Sequence, residues 1–265
     1  MKTRLHLGCQ GWTYPDWVGV FYPPGAKQEH LLPFYARVFD TVELDNTYYR
    51  RPKPTLVRSW AKHTPAGFSF AAKVPREITH ENGLKGVRDQ MDEFVRVMLL
   101  LGEKLGPLLI QMPASFQQDD LTLANLKSFL DECSREVKLA VEFRHPSWHQ
   151  PRTYEVLRNS NAGLAWTEWR NLPTVHEITA DFLYLRWLGK RSDIEKYDRI
   201  QIDRTNELTD WEAEIRKAAP EVENMYGYFN NHWAGHSPGS VADLLRRLGQ
   251  VALDPRDLWP QGEMF

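Results

Sequence analysis

KLAVEFRHPSW, residues 138–148, holds the pattern on which the fold turns. Its first six residues form a β-rich apolar run. Alternation along a strand sends Val141 and Phe143 to one side and Glu142 and Arg144 to the other. If the apolar pair packs beneath helices, the charged pair faces an interior. His145, Pro146 and Trp148 then belong to the loop that leaves the strand, with proline stiffening it.

Comparable runs lie on both sides of this one: RLHLGC at 4–9, TVELD at 41–45, FSFAAKV at 68–74, PLLIQM at 107–112, GLAWT at 163–167, FLYLRW at 182–187 and MYGYF at 225–229. With 138–143 they make eight expected strands. Between most of them apolar residues recur three or four apart, the stripe of a helix with one buried face. Leu31, Phe34, Tyr35 and Val38 form one such face, and Met91, Phe94, Val95, Met98 and Leu101 form another. Leu123, Leu126, Phe129, Leu130 and Cys133 follow, then Val241, Leu244, Leu245 and Leu248. The interval 188–205 is charged and weakly periodic, so it reads as a long loop or broken helix, with irregularity expected around strands six to eight.

Strands that alternate with helices imply parallel pairing, because a parallel return needs a crossover. The expected fold class is therefore α/β, a (β/α)8 TIM barrel formed as a single domain over residues 1–265. A doubly wound open sheet is the alternative, and no G-x-G-x-x-G follows the first strand to support it.

The 265 residues are 42% hydrophobic and 26% charged, a globular balance, and the formal net charge of -2 supplies no global field toward nucleic acid or an anionic membrane. The two cysteines, Cys9 and Cys133, are too few for a disulfide scaffold and read as core filler in a reducing compartment. MKTRLHLGC has no apolar signal core, and no apolar run approaches the ~18 residues that span a bilayer. A soluble, cytoplasmic protein without a membrane partner is expected.

A barrel binds its ligand at the C-terminal ends of its strands. Strand one leads into Gln10, Gly11, Trp12, Tyr14 and Trp17, and strand two holds Glu43 and Asp45 before Asn46, Thr47 and Tyr49. Strand three carries Lys73 and runs into Arg76, Thr79 and His80. Strand four ends in Gln111, strand five supplies Glu142, Arg144, His145 and Trp148, and strand six ends at Thr167 and Glu168. Arg186 lies on strand seven, while Asn230, Asn231, His232 and His236 follow strand eight. Glu43, Lys73, Glu142, Arg144 and Arg186 weigh most, since a charge inside a strand survives with a partner or a function. The plainer reading is a ring of ion pairs that fills the upper barrel and binds nothing. Trp12, Tyr14, Trp17, Tyr49, Trp148 and Trp233 add flat apolar faces, suited to a sugar ring or a base; their plainer reading is packing between loops and barrel.

These motifs, GCQGWTYPDW, FDTVELDNTYYRRP, FAAKVPREITH, QMPASF, AVEFRHPSW, YLRWLG and YFNNHWAGHSP in this order, resemble those of the YecE-like family, known as a domain of unknown function. The resemblance spans nearly the whole chain and implies a TIM-type barrel with its motifs gathered at one end, without a settled reaction. Among the residues above, its pattern falls on Gly11, Trp12, Tyr14, Trp17, Glu43, Thr47, Tyr49, Lys73, Thr79 and His80. It continues through Gln111, Glu142, Arg144, His145, Trp148, Arg186, Asn230 and Asn231. The chain departs from that pattern at Asp45 and Asn46, where Asn and Ser are usual, at Leu188 in place of His, and at His232 in place of an acid.

The expected function is an enzyme, a hydrolase or lyase, acting on a small anionic or phosphorylated, sugar- or nucleotide-like ligand. Lys73, Arg144 and Arg186 would bind the anion and Glu43 or Glu142 would be general base, with His145 an alternative proton shuttle. Lys73 could instead form a Schiff base with a carbonyl substrate. No resident cofactor is expected. A divalent metal is the alternative, since Glu43, Asp45, Glu142, His80, His145 and His236 are ligand types, but the neighbouring cations oppose it and no H-E-x-x-H spacing occurs. The other reading is a non-catalytic module for an anion, a nucleotide or single-stranded nucleic acid, the last disfavoured by net charge.

Overall fold

The computed structural model describes residues 3–169, 172–190 and 194–260. Eight parallel strands close into a barrel in sequence order: β1 (Arg4–Gln10), β2 (Thr41–Leu44), β3 (Ser69–Lys73), β4 (Leu105–Gln111), β5 (Leu139–Glu142), β6 (Gly163–Glu168), β7 (Phe182–Trp187) and β8 (Asn224–Phe229), with β8 pairing back onto β1. Around them lie α1 (Gln28–Val38), α2 (Pro54–Lys62), α3 (Arg88–Met98), α4 (Asp120–Glu132), α5 (Pro151–Asn159), α6 (Thr205–Ala218), the single turn α7 (Asn231–Ala234) and α8 (Ser237–Arg247). The barrel expected from the eight apolar runs is thus the observed fold.

Local sequence sets several helix starts. Pro54 and Pro151 open α2 and α5 where a missing N–H costs nothing, and Asp119 caps α4 in a reciprocal pair with Thr122. The connection between β6 and β7 carries no helix among its described residues, and residues 188–204 are irregular where described; 191–193 of the expected loop lie outside the described residues. The irregularity expected around strands six to eight is therefore located in the β6–β7 and β7–α6 connections. No described helix is long and apolar enough to cross a membrane.

Alternation divides the core in two. Outward residues such as Val42, Leu44, Ile110 and Val141 pack under the helices, while Ala71, Leu109, Ala140, Ala165, Phe182, Tyr184, Tyr226 and Tyr228 fill the barrel. Small inward residues on strands three, five and six face large aromatic ones on strands seven and eight, which fills the interior without a pore. Between β1 and β2 the ladder is short, because the Tyr35 hydroxyl of α1 is inserted: it accepts from the Cys9 N–H at 2.8 Å and donates to the Thr41 carbonyl at 2.9 Å. Gly8 makes room for that insertion, since a Cβ there would stand 2.1 Å from the Thr41 oxygen.

Candidate functional site

Above the inner aromatic layer, one strand period further, the inward positions turn polar: Gln10, Glu43, Lys73, Gln111, Glu142, Thr167 and Arg186. Register makes neighbours of Gln10 and Glu43, of Gln111 and Glu142, and of Thr167 and Arg186. Strands distant in sequence thus converge on one end of the barrel.

Arg186 is the hub. Its Nε and Nη2 donate to the two oxygens of Glu43 at 2.9 and 2.8 Å, and its Nη1 donates to Glu142 Oε2 at 2.6 Å. Tyr184 donates to Glu43 at 2.7 Å, Thr167 donates to Glu142 at 3.0 Å, and the Arg144 Nε pairs with the other Glu142 oxygen. Arg186, Glu43 and Glu142 are all buried. Burial alone would raise the Glu142 carboxyl, but the Arg144 and Arg186 guanidiniums outweigh it and hold the group down at about 2. Burial would lower Arg186, but the carboxylates of Glu142 and Glu43 outweigh it and push the guanidinium well above its ordinary range.

This arrangement revises two expected roles. Arg186 directs all three of its nitrogens at carboxylates inside the protein, so its guanidinium serves the barrel instead of an external anion. Glu43 and Glu142 have both oxygens engaged, and Glu142 held at about 2 is too weak a base to take a proton near neutrality. For these three residues the ion-pair ring describes the geometry.

Lys73 and Arg144 are placed differently. Lys73 ends β3 with its ammonium 4.1 Å from the centre of the Tyr48 ring and 3.5 Å from Asp45, a carboxylate 44% exposed at the rim. Burial lowers the Lys73 amine, Asp45 opposes that shift and Arg186 adds to it. Arg144, one strand period beyond Glu142, lies over the Trp169 ring at 4.2 Å and is only partly buried. His80 accompanies them: its Nδ1 lies 2.9 Å from the Thr79 hydroxyl and its ring meets Tyr48 edge-on. Burial, then the charges of Lys73, Arg76 and Arg144, push His80 down to about 4, so it is neutral at physiological pH.

Other expected contacts turn inward. Trp17 and Trp148 are fully buried, the first donating to Asn231 and the second to the Phe116 carbonyl between the stacked rings of Phe116 and Phe143. Neither presents a face to a ligand. Trp233 is likewise buried and donates to Glu168. Thr47 bridges strand ends, its hydroxyl 2.8 Å from the Leu44 carbonyl and 2.7 Å from that of Lys73. Thr79 is buried under His80, and Asn231 is buried against Trp17 and Ser237. His145 Nδ1 is turned onto Ser147, capping a 3-10 turn, which leaves it outside the ion-pair network. Gln111 donates to the Met112 carbonyl at the mouth, and Asn230 donates to Gln10. Tyr14 donates to the Gln10 carbonyl at 2.6 Å, Trp12 is part-buried and edge-on to Trp60, and Tyr49 is 72% exposed.

Three residues of the mouth escaped the sequence reading: Tyr184, Tyr48 and Trp169. Tyr184 was available from alternation, two residues before Arg186. Tyr48 was masked by its neighbour Tyr49, because the 3-10 turn Asn46–Tyr48 decides which ring points inward. As for metal, no three His, Cys, Asp or Glu side chains converge to hold an ion among the described residues. The two mouth carboxylates are also bound to guanidiniums, so this donor set does not fit a divalent cation.

A family model described as a protein of unknown function, DUF72, matches residues 6–262. The UPF0759 protein YecE of Escherichia coli K12 is 34% identical over 144 residues, which cover 54% of this chain and 50% of that protein; the match thus spans half of the relative. The UPF0759 protein YunF of Bacillus subtilis is 24% identical, with 96% of this chain and 99% of the relative covered. A DUF72 family protein of Thermotoga maritima superposes with a TM-score of 0.81 at 28% identity, covering 93% of this chain and 100% of its own. A D-psicose 3-epimerase reaches a TM-score of 0.52 at 8% identity over 84% of each chain, a likeness of fold alone.

Proposed function

This chain belongs to the DUF72 family, and from that premise we propose that it is an enzyme of the hydrolase or lyase type whose barrel mouth holds a small anionic ligand, sugar- or nucleotide-like, between Lys73 and Arg144. One observation carries this reading. Among the described residues, the buried and nearly buried cations of the mouth, Arg186, Lys73 and Arg144, outnumber the buried carboxylates Glu43 and Glu142, three against two, and Asp45 stands half exposed at the rim. A phosphate or carboxylate would complete that balance with charge-assisted hydrogen bonds. Asp45 and the neutral His80 are the proton carriers left once Glu43 and Glu142 are committed to Arg186. The proposed setting is cytoplasmic, in keeping with the buried free thiols of Cys9 and Cys133.

Thermal unfolding against inorganic phosphate, sugar phosphates, nucleotides and short oxo acids tests the reading. A binder present at about one hundred times its Kd stabilises the fold by about 2.7 kcal/mol. Arg144→Ala and Lys73→Met should abolish that gain. Wild-type protein indifferent to the whole panel would end the proposal.

A binding module without turnover is the second reading, and the locked state of Glu43 and Glu142 favours it. It predicts the same stabilisation with no chemical change in any bound member of the panel.

A further inference from the structure

Resting on the reading of the mouth as an anion site, we propose that Lys73 is a carbonyl-capturing amine, which forms an imine with the aldehyde or keto group of a small anionic substrate whose charge is held by Arg144. The activity would then be of the lyase or aldolase type, in which the imine serves as the electron sink for a neighbouring C–C or C–H bond.

Three features of the geometry point to this role. Arg186 stands between Glu43 and Glu142 and takes up both carboxylates, which would otherwise pair with a lysine on the same inward layer. Lys73, only 9% exposed, is left with Asp45 at 3.5 Å, too far for a short charge-assisted bond. A nearly buried ammonium without a close carboxylate is costly, and the neutral amine relieves that cost.

The groups facing Lys73 set the balance. Asp45, Glu43 and Glu142 favour the charged amine, as does the face of Tyr48; Arg186 and burial oppose it, and burial is the largest influence, so the amine is lowered. The neighbouring His80 is neutral and adds no charge, while Arg76 is paired with Glu81 at 2.9 Å.

Asp45 is placed to serve the chemistry. The neutral Lys73 Nζ adds to the carbonyl carbon, and its proton passes by way of Asp45 to the new alkoxide, giving a carbinolamine. A proton drawn from solvent and passed through Asp45 then expels that hydroxyl as water and leaves the protonated imine. One water is released per imine formed, and no oxidant, reductant or further reactant is required. Tyr48, packed on the amine, holds Nζ at the mouth while the carbonyl approaches.

The full chain is incubated with pyruvate, with dihydroxyacetone phosphate and with the neutral dihydroxyacetone, then treated with sodium borohydride and mapped by peptide mass spectrometry. The expected result is one reduced adduct, on Lys73, from the two anionic probes. It is absent from Lys73→Met and from Lys73→Arg, both of which prove folded by a far-UV circular dichroism spectrum and a cooperative thermal transition like those of the wild type. Arg144→Met should lower labelling by the anionic probes about tenfold or more and leave the neutral probe unchanged. Because the amine reacts unprotonated and burial lowers it, labelling should also reach half-maximum below the ordinary lysine range. Stabilisation by phosphate with no adduct, or with label spread over surface lysines and indifferent to Lys73, overturns the imine and keeps the anion site. Equal labelling of Lys73 by neutral and charged probes with no stabilisation by phosphate keeps the amine and overturns the anion site.

Discussion

Glu142 sits where two guanidiniums and a hydroxyl meet: Arg186 donates to one of its oxygens at 2.6 Å, Arg144 pairs with the other, and Thr167 adds a hydroxyl at 3.0 Å. Such a site is an asset only while it is complete. Glu142→Gln leaves two guanidiniums short of an anion in a buried place, so we expect it to cost about 3–5 kcal/mol near neutral pH. The pH dependence has a definite sign. A carboxyl held at about 2 when folded, against 4.5 ordinarily, stabilises the fold fully above about pH 4.5, and that contribution fades as pH falls toward about 2. Urea unfolding of wild type and Glu142→Gln should therefore differ most near neutrality and converge on acidification. A gap that stayed constant down to about pH 2 would show that the charge of Glu142 contributes nothing.

Between elements, the mouth depends on how strand ends are tied. The Thr47 hydroxyl lies against the carbonyls of Leu44 and Lys73 and so holds the end of β2 to the end of β3. Thr47→Val keeps the shape and removes the hydrogen bond, leaving buried carbonyls unpaired, at a cost of about 1–3 kcal/mol. Because the freed end carries Lys73, phosphate binding should weaken together with stability, and calorimetric titration beside chemical unfolding would separate the two. Loss of stability with unaltered anion affinity would show that Thr47 does not position Lys73. The sequence pattern offers Thr47 as a ligand contact, whereas the structure gives it to the backbone; a 3-10 turn of three residues, Asn46–Tyr48, turns Thr47 inward and leaves Tyr49 outside.

Over the whole molecule, charge is close to balanced, with a formal net value of -2, and the excess cations of the mouth form a local feature. Small anions should therefore bind with a shallow dependence on ionic strength. With no net positive charge on the chain to release counterions from an oligonucleotide, single-strand affinity at ~0.15 M salt should be weak and its salt slope small. Fluorescence anisotropy with a labelled single strand measures both; a steep slope, about that of six or more phosphate contacts, would replace the small-ligand reading with a nucleic-acid one.

The sequence by itself determined the barrel, because strand and helix periods are local properties: each apolar run and each stripe can be read without knowing its neighbours, and eight alternations leave little choice of closure. It also determined the charged strand positions of the mouth, Glu43, Lys73, Glu142, Arg144 and Arg186, since alternation and strand ends are local too. The partners of those residues depended on the tertiary structure. Register and barrel closure brought Arg186 of β7 between Glu43 of β2 and Glu142 of β5, which turned an expected anion binder and two expected bases into a closed network, with Arg144 at its edge and Lys73 beside it. Loop packing likewise buried Trp17 and Trp148 and brought Tyr48 over the amine. A side chain's chemistry follows from the groups within a few ångströms of it, and those groups come from segments tens to hundreds of residues apart.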